Sequence, residues 1–267
     1  MTVRDKLWLF ASHAHDDDHY FRKKSRITPA EGAWMLDVPN VIMVVSSDGS
    51  PAPFTADAYG YMDSFWRMQN VFWTSTGSGG FRAGNEEAFI CDLAQKYPKV
   101  KGTYLDDFWG KFGRYEEPQK TEEALKLLKE IRAGLDRADR RLEMWITWYM
   151  RDLDAMSEEM KKYIDGIAIW TWDYKELPLL AERFAKIEAN FPEQKKLLGI
   201  YLCDYSGGGA IPDDMMELQC EFGLKMLQEG RIDGMIFLTN CVMGMGLSSD
   251  YWARNWIDKV KDLPLGS

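Results

Sequence analysis

Eight short apolar runs, each followed by a segment of helical character, recur along the chain at intervals of roughly 20–40 residues, and this alternation restricts the fold more than any other feature. The runs predict strands at Leu7–Ser12, Asn40–Val45, Asn70–Thr74, Gly102–Asp107, Leu142–Tyr149, Ile164–Trp172, Leu197–Cys203 and Ile232–Thr239. Helices are expected up to residue 36 and over 57–68, 85–97, 118–137, 156–163, 177–190, 212–228 and 249–261. Thr28-Pro29-Ala30-Glu31 carries a cap, a proline at the first helical position and a reciprocal Glu, which is a helix start. Leu125, Leu128, Ile131 and Leu135 recur at helical spacing and mark a core-facing stripe.

Strands four to eight are apolar almost throughout, as parallel strands buried on both faces must be. Length, strand count and strict alternation predict the α/β class, with residues 1–267 forming a single (β/α)8 barrel, a fold of about 250 residues. Leu265-Gly266-Ser267 reads either as the natural end of the chain or as a linker remnant. An open doubly wound sheet is the alternative. It lacks its Gly-x-Gly-x-x-Gly after the first strand, and neither the Gly77 nor the Gly207 stretch ends in the Lys-Ser/Thr of a phosphate loop.

In a barrel of this kind the chemistry gathers where the strands end. Reading only those outlets gives His13, His15 and Asp16 after the first strand, Ser47 and Asp48 after the second, and Thr74 and Ser75 after the third. Asp106 and Asp107 follow the fourth, Trp148 and Tyr149 the fifth, Trp172 and Asp173 the sixth, Asp204 and Tyr205 the seventh, and Asn240 the eighth. Carboxylates held close to one another separate in acidity, so one can serve as acid and another as base or nucleophile. Glycosidic cleavage requires such a pair. The candidate catalytic residues are therefore Asp107, Asp106 and Asp173. Because successive strand residues alternate sides, the two strand-four acids are expected to point apart and to differ in role.

Eleven Trp, twelve Tyr and thirteen Phe make a ring-rich chain, and rings give flat platforms for sugar faces as well as core packing. Trp109, Trp148, Tyr149, Trp172 and Tyr205, with the polar His13, His15, Asp48, Asp204 and Asn240, form the candidate substrate-binding set. A carbohydrate or other glycoside is the expected small-molecule partner. With 42 acidic against 33 basic residues the net charge is −9 and no basic block stands out, which argues against nucleic acid. No apolar run is long enough for a membrane span. The apolar run at Leu7–Phe10 is too brief for a signal peptide, which favours a cytoplasmic location. The four scattered Cys (91, 203, 220 and 241) form no Cys-x-x-Cys pair and read as free thiols.

Tyr104-Leu105-Asp106-Asp107-Phe108 resembles the adjacent Asp-Asp pair of barrel hexosaminidases that use substrate assistance. That resemblance implies that Asp106 orients an acetamido group, that Asp107 is the general acid, and that Asn240 matches the Asn of a late strand. The chain is also broadly similar to barrel glycosidases of the α-galactosidase type. That similarity implies a nucleophile at Asp107 or Asp106 and an acid/base at Asp173. His13-Ala14-His15 resembles the first motif of metal-dependent amidohydrolases, although the chain has no His for that family's motifs after strands five and six. The leading expectation is thus a glycoside hydrolase without a cofactor. The alternatives are a metal-dependent hydrolase, lyase or isomerase holding a divalent ion at His13, His15 and an Asp, and a carbohydrate-binding barrel without catalysis. The acidic run Asp16–Asp18 adds a candidate weak calcium contact.

Overall fold

The computed structural model describes residues 1–16, 25–112, 118–152 and 156–266. Eight parallel strands close on themselves in chain order: β1 (Leu7–Ala11), β2 (Asn40–Met43), β3 (Asn70–Thr76), β4 (Val100–Leu105), β5 (Glu143–Tyr149), β6 (Gly166–Trp170), β7 (Lys195–Tyr201) and β8 (Gly234–Leu238). β8 pairs with β1 in the register Leu7↔Met235 to Phe10↔Leu238, which leaves no open edge. An α-helix follows each strand: α1 (Pro29–Leu36), α2 (Ala56–Ser64), α3 (Glu86–Lys96), α4 (Pro118–Leu135), α5 (Glu158–Lys161), α6 (Leu180–Asn190), α7 (Asp213–Gln228) and α8 (Ser248–Val260). The molecule is a (β/α)8 barrel. No helix among the described residues is long and apolar enough to cross a membrane.

Local chemistry sets the element ends. At α1 the Thr28 hydroxyl accepts from the Glu31 amide at 3.3 Å and the Glu31 carboxylate accepts from the Thr28 amide at 2.9 Å, which closes the expected capping box. In α4 the fully buried stripe is Ala124, Leu128, Ile131 and Leu135, whereas Leu125 lies one position round the helix and is only partly buried. The helix expected from residue 177 starts three residues later. Tyr174–Leu179 forms a 3-10 segment instead, and Pro178 within it has no amide to donate. The sixth strand is shorter than the apolar run and stops at Trp170.

Two apolar layers follow from strand alternation. The outer one, between barrel and helices, takes Leu9, Met43, Trp73, Trp148 and Ile200. The inner one fills the barrel with Trp8, Phe10, Phe72, Tyr104, Trp145, Trp170 and Tyr201. Rings this large fit because glycines face them. A Cβ on Gly166 would lie 2.4 Å from Trp145 Cδ2, and one on Gly199 would lie 2.1 Å from Trp170 Cε3. Much of the aromatic content is therefore the plug of the barrel, and the upper rings of that plug become the floor of a cavity at the C-terminal mouth.

Candidate active site

The cavity at the C-terminal ends of the strands has a volume of about 520 Å³, within the range of small-molecule sites. Phe10, Trp170, Tyr201 and Leu238 form its base, and Tyr149, Trp172 and Tyr205 rise along one side. Ser12, His13, His15, Asp16, Ser47 and Asp48 line the wall supplied by the β1 and β2 outlets, and Asp106, Asp107, Ser78 and Gly79 line the wall supplied by β4 and β3. Trp172 and Tyr205 pair at 5.7 Å between ring centroids with their planes only 33° apart. No Lys or Arg is among the described lining residues.

The acids owe their placement to a backbone turn. β4 ends at Leu105, and Asp107 adopts φ 41°, in the left-handed region. Strand alternation would send the two carboxylates to opposite sides. The turn at Asp107 breaks that alternation, and both acids line the cavity. Asp107 is fixed from two sides: Tyr149 Oη donates to Oδ1 at 2.8 Å, and the Gly79 amide donates to Oδ2 at 3.0 Å.

Asp106 lies deeper. The Thr147 hydroxyl donates to its Oδ1 at 2.9 Å, Tyr104 Oη stands 2.8 Å from Thr147 Oγ1, and Trp170 Nε1 donates to Tyr104 Oη at 3.2 Å. Thr147 has one proton and spends it on Asp106, so the Tyr104 hydroxyl must donate to Thr147. The result is a one-way chain of donors ending at the carboxyl. Burial, reinforced by the neighbouring charge of Asp107, pushes the Asp106 carboxyl well above the usual carboxylate range, while Thr147 and the Asp107 amide only partly oppose this. The Asp106 carboxyl is therefore harder to ionise than an exposed Asp. Burial also pushes the Tyr149 and Tyr201 phenols up, aided by the nearby carboxylates, so both remain hydrogen-bond donors.

The cavity brings together His13, His15, Asp48, Asp106, Asp107, Tyr149, Trp172 and Tyr205 from the sequence-derived set. It does not include the other five. Asp173 caps the 3-10 segment Tyr174–Leu179, its carboxylate accepting from the Lys175 amide at 3.0 Å. Asp204 is enclosed by its own turn. Burial is the largest influence on its carboxyl and raises it, but the Ser206 hydroxyl and amide and the Gly207 amide together hold it below its ordinary value. Trp148 alternates outward from β5 and packs on Phe191 at 4.9 Å, and Trp109 packs on Phe108 and Trp148 in the same outer layer.

Asn240 is a cross-link. Its Oδ1 accepts from the Ser12 amide at 2.9 Å, and its Nδ2 donates to the carbonyls of Ser12 at 2.9 Å and Ile27 at 2.7 Å, tying the β1 and β8 outlets together. Asn240→Ala would strand two buried backbone groups of Ser12 and the part-buried Ile27 carbonyl, and is expected to cost about 2–4 kcal/mol. A lowered urea midpoint with an unchanged denaturant slope would show this.

Lining residues absent from the sequence-derived set include Phe10, Ser12, Ser78, Gly79, Thr147, Trp170, Tyr201, Leu238 and Thr239. Thr147 and Tyr201 could have been found by counting in twos from an inward-facing position on the same strand. His13 Nε2 lies 3.5 Å from Asp16 Oδ1. Among the described residues no group of three or more His, Cys, Asp or Glu side chains is placed to hold a metal ion. Asp17 and Asp18, part of the acidic-run reading, lie outside the described residues.

A second hollow, of about 670 Å³, opens at the opposite end of the barrel over Trp8, Phe72 and Trp145. Three of its cations are engaged locally: Arg140 by the carbonyls of Ala94 and Val100, Arg141 by Asp165, and Lys195 by Glu143. The buried acid with displaced acidity sits at the C-terminal mouth, which is the functional face of this architecture.

No protein-family model and no curated protein matches the sequence. Among solved structures the chain is similar to a candidate alpha-L-fucosidase from Bacteroides thetaiotaomicron, with a TM-score of 0.61 and 12% identity over 98% of this chain and 96% of that one. It is similar to the GH99 endo-alpha-mannosidase from the same organism, with a TM-score of 0.57 and 9% identity over 96% of this chain and 97% of that one. It is also similar to a candidate 2-pyrone-4,6-dicarboxylic acid hydrolase from Acinetobacter baumannii, with a TM-score of 0.52 and 9% identity over 97% and 93%. These likenesses establish the barrel. The variety of chemistry in their names leaves function to the residues of the site.

Proposed function

We propose that the protein is a glycoside hydrolase that cleaves the bond of an uncharged sugar held in the C-terminal cavity. The observation that carries this reading is the turn at Asp107, which directs two adjacent carboxylates, the deeper one made harder to ionise by burial, into one ring-lined pocket. In the proposed reaction the sugar ring lies against Trp172 and Tyr205, and the glycosidic oxygen faces the pair. Asp107, held by Tyr149 and the Gly79 amide, hands a proton to that oxygen as the bond to the anomeric carbon breaks. Asp106 is the buried partner. Burial and the charge of Asp107 make its carboxyl harder to ionise, and the donor chain through Thr147 and Tyr104 fixes its orientation. The likeness to a candidate fucosidase and an endo-mannosidase supports the reading.

A panel of 4-nitrophenyl glycosides tests it. Release of nitrophenolate from at least one neutral pyranoside is expected. The corresponding uronide should react about tenfold more slowly or worse, because the described lining offers its carboxylate four Asp and no Lys or Arg. Saccharide binding without release from any member of the panel would point instead to a carbohydrate-binding barrel.

A further inference from the structure

A glycosidase that transfers a proton from one side of the anomeric carbon needs a group on the other side, where water or a nucleophile approaches. The other strand-end acids of the sequence-derived set, Asp173 and Asp204, lie off the cavity wall and accept from the Lys175 and Ser206 amides. The carboxylates that remain on the described cavity wall, apart from the pair, are Asp16 and Asp48.

The barrel decides between them. In a closed ring of eight strands β1 stands opposite β5. The Asp106–Asp107 pair leaves β4 and is held by Thr147 and Tyr149 of β5, so the β1 outlet is the wall that faces it. Asp16 is on that wall. Its side chain is only 17% exposed, and its Oδ1 is 3.5 Å from His13 Nε2, another lining residue, which limits where the carboxylate can swing. The charge of Asp16 is also one of the influences that push the Asp106 carboxyl up, so the two acids lie within each other's field. Asp48 is exposed and its Oδ1 accepts from the Ser50 amide at 2.9 Å, the work of a loop residue.

We infer that Asp16 is the second catalytic carboxylate, placed on the face of the sugar away from the Asp106–Asp107 pair, where it takes a proton from the attacking water. The inference rests on the glycosidase reading. In the step, a water oxygen bonds to the anomeric carbon and one water proton passes to Asp16. The glycosidic carbon–oxygen bond breaks, its electron pair leaves with the aglycone oxygen, and that oxygen takes the proton held by Asp107. One glycoside and one water give one free sugar of inverted anomeric configuration and one alcohol, and the proton on Asp16 returns to the pair through solvent.

The test uses the neutral 4-nitrophenyl glycoside that the wild-type protein turns over fastest. Asp16→Ala and the shape-preserving Asp16→Asn should each lower kcat by about 10³-fold with an unchanged near-ultraviolet dichroism spectrum. Molar azide should restore the Ala variant at least about tenfold, a modest fraction of the general-base contribution, by attacking the anomeric carbon in place of water. The product should then be a glycosyl azide of configuration opposite to the substrate, and the first sugar released by the wild type should be the inverted anomer by proton NMR. Turnover within about threefold of wild type in the Asn variant, loss in the Ala variant without azide rescue, or a retained anomer from the wild type would each overturn the assignment of Asp16 while leaving the glycosidase reading standing. A wild-type protein that releases nitrophenolate from none of the panel would remove that reading, and the role of Asp16 with it.

Discussion

Replacing Asp107 by Asn is expected to lower kcat by about 10³-fold on a 4-nitrophenyl glycoside, within the range for loss of a general acid, with little change in KM. The fold should survive. The amide oxygen can still accept from the Gly79 amide, and the amide nitrogen can donate to Tyr149 Oη, whose hydroxyl proton is free to turn elsewhere. What is lost is a proton that can be released. The leaving group supplies the diagnostic. A 2,4-dinitrophenyl glycoside needs little protonation to depart, so the deficit should shrink by about tenfold or more on that substrate, a recovered part of the same general-acid contribution. A variant that loses the same factor on both substrates would mean that Asp107 acts other than as an acid.

Asp106→Asn should change how stability depends on pH. The folded-state acidity of Asp106 is displaced upward, chiefly by burial and then by the charge of Asp107. The folded protein therefore binds more protons than the unfolded chain in the interval above the ordinary carboxylate range. Stability from this group is complete below the unfolded value and is lost as pH rises through the folded one, at about 1.4 kcal/mol per pH unit within the interval. Urea unfolding from pH 4.5 to pH 8 should show the wild type weakening relative to the variant as pH rises. The variant keeps the acceptor for Thr147 and has no charge to bury. Parallel profiles for the two proteins would contradict a buried acid at this position.

The barrel was legible in the chain because its signals repeat. Eight apolar runs alternated with helix starts, and the Thr28–Glu31 cap was readable to the residue. The outlets were only half legible, and the reason is side-chain direction. Trp148 and Tyr149 are neighbours, yet one enters the outer layer and the other the cavity. Once Trp145 is known to point inward, alternation assigns Thr147 and Tyr149 to the cavity.

Alternation fails at Asp107, where a left-handed residue other than glycine turns the chain. Asp enters the left-handed region more readily than most residues, but Asp106-Asp107-Phe108 does not say which of its residues will. Asp173 and Asp204 did carry a warning. Each accepts from the amide two residues ahead, at Lys175 and Ser206, which is the habit of an Asp that opens a turn. Asn240 could not have been read as a cross-link, since its partners Ser12 and Ile27 lie at the far end of the chain.

The most direct test is a crystal structure of the Asp107→Asn protein soaked with the glycoside that the wild type hydrolyses. An intact glycoside is expected in the C-terminal cavity, its ring against Trp172 and Tyr205 and its glycosidic oxygen within hydrogen-bond reach of residue 107. A glycoside bound at the opposite end of the barrel over Trp8, Phe72 and Trp145, or bound at the C-terminal mouth with its glycosidic oxygen turned away from residues 106 and 107, would contradict it.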